Sequence, residues 1–255
     1  MTLNQIIIAV VIGIPVLLLV ILVGEAMIAR SGPKEQFINP ERSTISLGTG
    51  QQKLNYVVLG DSSSAGQGAD YQKGIAMQTA QELAKNYQVS FTNFSISGAT
   101  TADVLQNQIK EGVNLKPDLV LVAISANDLT QLKSTNDIKN NMQQILDQLI
   151  AGNCKVKIVV TGTPDMGSIP RFAQPLRWVA GLRTQQYNNV FDQLIQKYNI
   201  TLAPIAKETG PIFREDNTLF AEDRFHPNER GYAVWTKVLN KAIAEALQSQ
   251  PEHCQ

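Results

Sequence analysis

The stretch VVLGDSSSAGQGA, residues 57–69, decides how the rest of the chain is read. An apolar run stops at Gly60; an acid, three serines and two more glycines follow. Consecutive Val, Val and Leu ended by glycine predict a buried strand running into a tight turn. Several known uses of such a turn fail on the residues. A Walker-type phosphate loop ends in Gly-Lys-Ser/Thr, which is missing here. A dinucleotide fingerprint needs a glycine at position 71, which is Tyr71. The α/β-hydrolase elbow G-x-S-x-G needs glycine where Ser64 stands. A nucleophile seat of another kind and a plain polar turn remain, and the stretch alone does not separate them.

Outward from it, the chain alternates short β-branched runs with amphipathic segments. YVVLG (56–60), VSFTNFS (89–95), DLVLVAI (118–124), VKIVVTG (156–162) and ITLAPI (200–205) predict five strands bounded by turn formers. Between and after them lie helical stripes. The clearest joins Ile138, Met142, Ile145, Leu146 and Leu149, and the last joins Trp235, Val238, Leu239, Ala242, Ile243 and Ala246. This alternation predicts an α/β domain over 53–249, a parallel five-stranded sheet with helices on both faces, with 250–255 as a tail. In such sheets the reactive groups stand beyond the carboxyl ends of the strands.

The residues at those ends are Gly60-Asp61-Ser62, Ser97-Gly98-Ala99, Ser125-Ala126-Asn127-Asp128 and Thr163-Pro164-Asp165. Before the last helix comes DRFHPNERGY (223–232), with Asp223 and His226 three residues apart. Together they hold what hydroxyl-nucleophile catalysis requires. A serine needs a base to take its proton. An imidazole suits that task near neutral pH, and a carboxylate fixes the imidazole's tautomer. The tetrahedral oxyanion needs N–H donors, which a backbone amide at Gly98 and the side chain of Asn127 can supply.

The N-terminal segment differs from the rest. Ile6–Val23 is 18 residues without a polar side chain, and as a helix it extends roughly 27 Å, close to a bilayer's hydrocarbon core. No basic residue precedes it and no small-x-small site follows, which favours an uncleaved transmembrane anchor over 5–29 above a signal peptide. Residues 30–52 are polar, with Gly, Pro and Ser, and read as a linker. Arg30, Lys34 and Arg42 after the run favour a cytoplasmic C-terminal part, but the side of the membrane stays open. With 22 basic and 22 acidic residues the formal charge is zero, which gives no sign of a nucleic-acid partner. The two cysteines, Cys154 and Cys254, admit one bridge or two free thiols.

The blocks in their order resemble the SGNH/GDSL hydrolase family over roughly 54–248. GDSSSAG resembles its first block, NFSISGATT its second, SAND its third and DRFHPNERGYAVW its last. The chain departs at Ser63, where Leu is usual, and at Ser125, where Gly is usual. The resemblance implies a flavodoxin-like three-layer α/β/α sandwich and ester hydrolysis without metal or other cofactor. It implies Ser62 as nucleophile, His226 as base, Asp223 as its orienter, and an oxyanion hole from Ser62, Gly98 and Asn127. The stretch at 164–183 then either lines the acyl pocket or is a surface loop and helix.

The substrate expected on this basis is a small-molecule or lipid-like ester. An alternative is O-deacetylation of an acetylated cell-envelope polysaccharide. From another class, a non-catalytic binding module on the same fold is motivated only by Ser125. Ser63, Ser64, Asp61 and Asp128 read as turn or strand-end residues, Asp165 as a turn residue or a rival carboxylate. His253, in the polar tail, is not expected to be the base.

Overall fold

The computed structural model describes residues 2–32, 37–249 and 254; Lys34 and His253 lie outside them, as does most of the tail. Six strands form one sheet: β1 (Ile45–Leu47), β2 (Gln52–Gly60), β3 (Tyr87–Asn93), β4 (Leu119–Ala123), β5 (Lys157–Val160) and β6 (Thr201–Leu202). Their spatial order is β1-β3-β2-β4-β5-β6. All neighbours are parallel except β1, which runs antiparallel to β3.

The sheet therefore has six strands where five are expected. The additional one lies within the stretch read as a linker. Only Ile45 and Leu47 turn inward, against the core beside β3, and Ser46 faces out. A three-residue alternation is too short to stand out in a polar segment. Strand β6 is shorter than predicted, because helix starts at Ile205 directly after Pro204.

The helices are α1 (Leu3–Ser31), α2 (Ser62–Ala65), α3 (Ile75–Leu83), α4 (Thr101–Asn107), α5 (Ile109–Asn114), α6 (Ala126–Thr130), α7 (Thr135–Gly152), α8 (Leu176–Tyr198), α9 (Ile205–Glu215) and α10 (Glu229–Gln248). Successive strand residues point to opposite faces, and both faces are covered. Val57, Leu59, Val120 and Val122 pack with the α7 stripe and with Tyr187, Phe191 and Leu194 of α8. Tyr56, Val58, Leu119 and Leu121 pack with α3 and with Leu239, Ala242 and Ile243 of α10. This is the three-layer α/β/α sandwich.

Strand β2 lies between β3 and β4, so the chain leaves it to one side and returns to the other. The crevice beyond the carboxyl end of such a strand is the usual ligand site of an open α/β sheet. Gly60 ends β2 there. A Cβ at this position would overlap the Ala123 carbonyl oxygen and the Ser64 hydroxyl, so the close approach of β2 to β4 requires glycine.

Helix α1 is long and apolar enough to cross a membrane, and none of its most apolar window is buried in the protein. Thr2 caps its start and exchanges bonds with Gln5. Cys154 and Cys254 form a disulfide that joins the segment after α7 to the end of the chain.

Candidate active site

Ser62 is the first residue of α2, directly beyond β2. Asp61 caps this short helix: its Oδ1 accepts from the Ser63 N–H at 2.9 Å and the Ser63 hydroxyl at 2.7 Å. Ser64 donates to the Asp61 carbonyl and accepts from Ser95 Oγ at 2.8 Å. These bonds occupy the second and third serines and leave the first facing the crevice.

There Ser62 Oγ lies 2.9 Å from His226 Nε2, across 164 residues of sequence. His226 Nδ1 lies 2.6 Å from Asp223 Oδ2. The other carboxylate oxygen accepts the backbone N–H groups of Phe225 at 2.9 Å and His226 at 3.0 Å. The three-residue spacing of Asp223 and His226 thus folds into a tight loop in which the carboxylate holds both the ring and its backbone. Phe225 packs edge-on against the imidazole, with ring centroids 5.0 Å apart. The Tyr232 hydroxyl, from the first turn of α10, donates to the Gln67 carbonyl at 2.5 Å and ties this loop's helix to the Ser62 segment.

Burial pushes the Asp223 carboxyl up, but its hydrogen bond to His226, the charge of that ring and the two backbone N–H groups outweigh it. Its pKa lies below the ordinary value. Asp223 stays ionised at neutral pH, the state in which it can orient a neutral imidazole and stabilise an imidazolium.

Gly98 and Asn127 stand on the same cavity as Ser62 and His226. Gly98 has φ +83°, and a Cβ there would meet nothing within 4 Å. Glycine is needed for the left-handed backbone, and its face is open to the cavity. Asn127 Nδ2 donates one hydrogen to the Ala99 carbonyl at 2.9 Å, which fixes the amide and leaves its second N–H free to point elsewhere. Among the described residues, the backbone N–H groups of Ser62 and Gly98 meet no protein acceptor.

Ser125 occupies the place where glycine is usual, and its backbone is left-handed all the same, at φ +105°. Its buried hydroxyl shares a 2.7 Å hydrogen bond with Thr163. A bond of this kind offsets part of the roughly 1–3 kcal/mol that such a backbone costs a residue with a Cβ. The loop bearing Asn127 is thus held at a left-handed residue through that residue's own side chain.

Other acids have structural partners. Asp128 accepts from the Thr101 N–H and hydroxyl at the start of α4. Asp165 pairs with Arg214 at 2.8 Å and caps the turn after it, so it is not the carboxylate on His226. Among the described residues no group of three or more His, Cys, Asp or Glu stands together as a metal cluster would.

Asp61 is fully buried, which pushes its pKa up to about 6 against the pull of the Ser63 bonds and the nearby His226. The folded-state value lies above that of an unfolded aspartate, so the folded chain holds this proton more tightly. The resulting stability is complete below about pH 4 and is lost as the pH rises through about 6. Asp61→Asn retains an oxygen to accept from Ser63 and carries no charge. In urea unfolding it is expected to be roughly 2–3 kcal/mol more stable than the parent at pH 8 and nearly equal to it at pH 4. Equal stability at pH 8 would show that the buried charge costs nothing.

The cavity at Ser62 has a volume of about 540 Å³. Phe172, Leu176, Val179 and Ala180 line it, so the 164–183 stretch forms a wall of the pocket. Sequence reasoning did not foresee several contributors to the cavity. Gln67 and Ser97 line the cavity and bond each other at 2.6 Å, and Ala26, Ala29 and Arg30 reach it from the end of α1. Gln67 lies inside the opening stretch, but nothing in its spacing marks it. No periodicity links α1 to a site so far away in the chain.

Comparison with known proteins identifies the family and the fold. The chain is 29% identical over 246 residues to a GDSL-like esterase of Mycobacterium tuberculosis, covering 89% of this chain and 77% of that protein. Two solved structures share the fold. Phospholipase A1 from Streptomyces albidoflavus superposes with a TM-score of 0.58 at 22% identity, covering 74% of this chain and 99% of that one. An acetylxylan esterase from Geobacillus stearothermophilus, solved as a catalytic mutant, superposes at 0.60 with 17% identity, covering 80% and 99%. The profile of the GDSL-like lipase/acylhydrolase family matches residues 58–234, from the strand that delivers Ser62 to the helix that follows His226: the chain belongs to that family, and with it to the ester-bond hydrolases.

Proposed function

We propose that the chain is a serine esterase acting through an acyl-enzyme on Ser62. The single observation that supports this most is the relay Ser62–His226–Asp223, at 2.9 and 2.6 Å, on a cavity shared with Gly98 and Asn127. Ser62 Oγ attacks the ester carbonyl carbon while its proton passes to His226 Nε2. Asp223 stabilises the imidazolium and does not take the proton. The carbonyl oxygen becomes an oxyanion held by the N–H groups of Ser62 and Gly98 and by Asn127 Nδ2. As the intermediate collapses, the bond to the alcohol oxygen breaks and His226 protonates that oxygen. Water then attacks the acyl-Ser62 ester, gives its proton to His226, and the acid leaves with Ser62 reprotonated.

A fluorophosphonate probe tests the nucleophile. Phosphorus should become bonded to Ser62 Oγ, read by intact mass, and Ser62→Ala should remove the label. A chain that takes no label would be a binding module.

The pocket favours a lipid-like ester over an acetylated glycan, because Leu129, Leu132, Phe172, Leu176, Val179 and Phe225 give it extended apolar surface and an acetyl group needs little of its volume. The relatives do not choose between these, since a phospholipase and an acetylxylan esterase resemble the fold about equally.

For location, we read α1 as an uncleaved anchor with the domain on the extracytoplasmic side. Disulfides persist where the compartment is oxidising, and Cys154–Cys254 supports that side. The positive-inside bias points the other way, but Arg42 pairs with Glu111 at 2.5 Å and Arg30 reaches the Thr130 carbonyl, so both have uses within the fold. In intact cells an impermeant protease should remove the domain, and thiol reagents should label it only after reduction. Protection from protease, with both thiols reactive, would place it inside.

A further inference from the structure

We propose that the end of the membrane helix is one wall of the substrate pocket, so that the pocket opens at the bilayer surface and takes an acyl ester from the leaflet at the C-terminal end of α1. The inference rests on the esterase and anchor readings above and adds the substrate's physical source.

Along α1, contact with the domain begins where the apolar run ends. Residues up to Ile21 are exposed, whereas Leu22, Gly24, Glu25, Ala26 and Ala29 are partly covered. Glu25 fastens this end: its Oε2 accepts the N–H of Leu176 at 2.8 Å. Leu176 is the first residue of α8, where a helix's free N–H groups and dipole favour a carboxylate. Arg30 adds a long hydrogen bond to the Thr130 carbonyl. The anchor is therefore docked on the catalytic domain beside the pocket.

The position of that dock sets the depth of the pocket. Ala26, Ala29 and Arg30 line the cavity that holds Ser62 and His226. They follow Val23, the last residue of the apolar run, by three to seven positions. At about 1.5 Å per residue this is roughly 4.5–10 Å along the axis. The polar layer of one leaflet is about 5–7 Å thick. If Ile6–Val23 spans the hydrocarbon, the α1 wall of the pocket begins at headgroup depth.

The groups around it suit that depth. Leu132 lines the pocket yet is 72% exposed. Trp178, 62% exposed, stands in the same first turn of α8 that Glu25 holds. Exposed Leu is costly beside water, and Trp is favoured at the membrane interface. An acyl chain could then pass from the leaflet to Ser62 along an apolar wall without crossing water.

The test uses the full chain reconstituted in phosphatidylcholine vesicles. It compares p-nitrophenyl palmitate embedded in the same vesicles with p-nitrophenyl acetate in solution. Ala29→Phe fills the α1 wall and should lower the palmitate-to-acetate ratio of kcat/KM at least tenfold. In parallel, brominated lipids should quench a component of the tryptophan fluorescence that disappears in Trp178→Phe. The quenching does not depend on how Ala29→Phe folds. Turnover that requires Ser62 with a ratio unmoved by Ala29→Phe, or a Trp178 emission untouched by brominated lipid, overturns this inference alone. No turnover of either ester by the unaltered protein, with no fluorophosphonate label, would overturn the esterase reading and this one with it.

Discussion

Ser62→Ala is expected to lower kcat for a soluble ester on the order of 10⁶-fold, while KM changes little. The reason is geometric. Among the described residues no other hydroxyl stands at His226 Nε2, because the Ser63 and Ser64 hydroxyls are held by Asp61 and Ser95. His226→Ala should cost about as much, since a serine without its base remains a neutral alcohol. The double variant should be hardly worse than either single one, because both remove one step. About 10³–10⁴-fold acceleration over water should survive from binding and the oxyanion donors alone. Steady-state kinetics on the three variants, with circular dichroism to confirm folding, measures this. Losses that multiply in the double variant would mean that Ser62 and His226 act separately and would remove the relay as the catalytic unit.

Asn127→Ala is expected to lower kcat about 10²–10³-fold, equivalent to roughly 3–4 kcal/mol of transition-state stabilisation. KM should stay near its original value, because the proposed role of the amide is to hold an oxygen that gains charge only after attack. One of its hydrogens is engaged by the Ala99 carbonyl at 2.9 Å, so the other is preorganised without reorientation at the moment of reaction. Losing that bond also loosens the segment that carries Gly98, at about 1 kcal/mol of stability. A thermal melt beside the kinetics separates the two effects: a small drop in stability with a large drop in kcat supports the donor role. A kcat within a few-fold of the parent would remove Asn127 from the oxyanion hole.

Local pattern made much of this legible before any coordinates. Buried parallel strands must be apolar on both faces, so YVVLG and DLVLVAI stand out as unbroken runs. The α7 stripe stands out because a helix on a sheet needs one apolar face. The site segments were legible for a related reason. An α/β sheet collects its chemistry at strand ends, and Gly60, Gly98, Asn127 and the Asp223–His226 spacing all fall at such ends or just before a helix. Strand β1 was not legible, because an edge strand of three residues gains its stability from one neighbour and leaves little imprint on sequence. Ser125 was legible as a departure and not in its effect. Whether a serine there distorts the loop depends on Thr163, 38 residues away, reaching its hydroxyl.

The sequence by itself determined the fold class, the family resemblance and the membrane-competent helix, and it marked Ser62, Asp223 and His226 as candidates, because each rests on local periodicity or on short ordered motifs. Only the tertiary structure decided that Cys154 meets Cys254, that Asp165 is spent on Arg214, and that Ala26 and Ala29 of the membrane helix share a cavity with the nucleophile. These are contacts between residues far apart in the chain. They arise from how helices stack on a twisted sheet, and no local spacing encodes them.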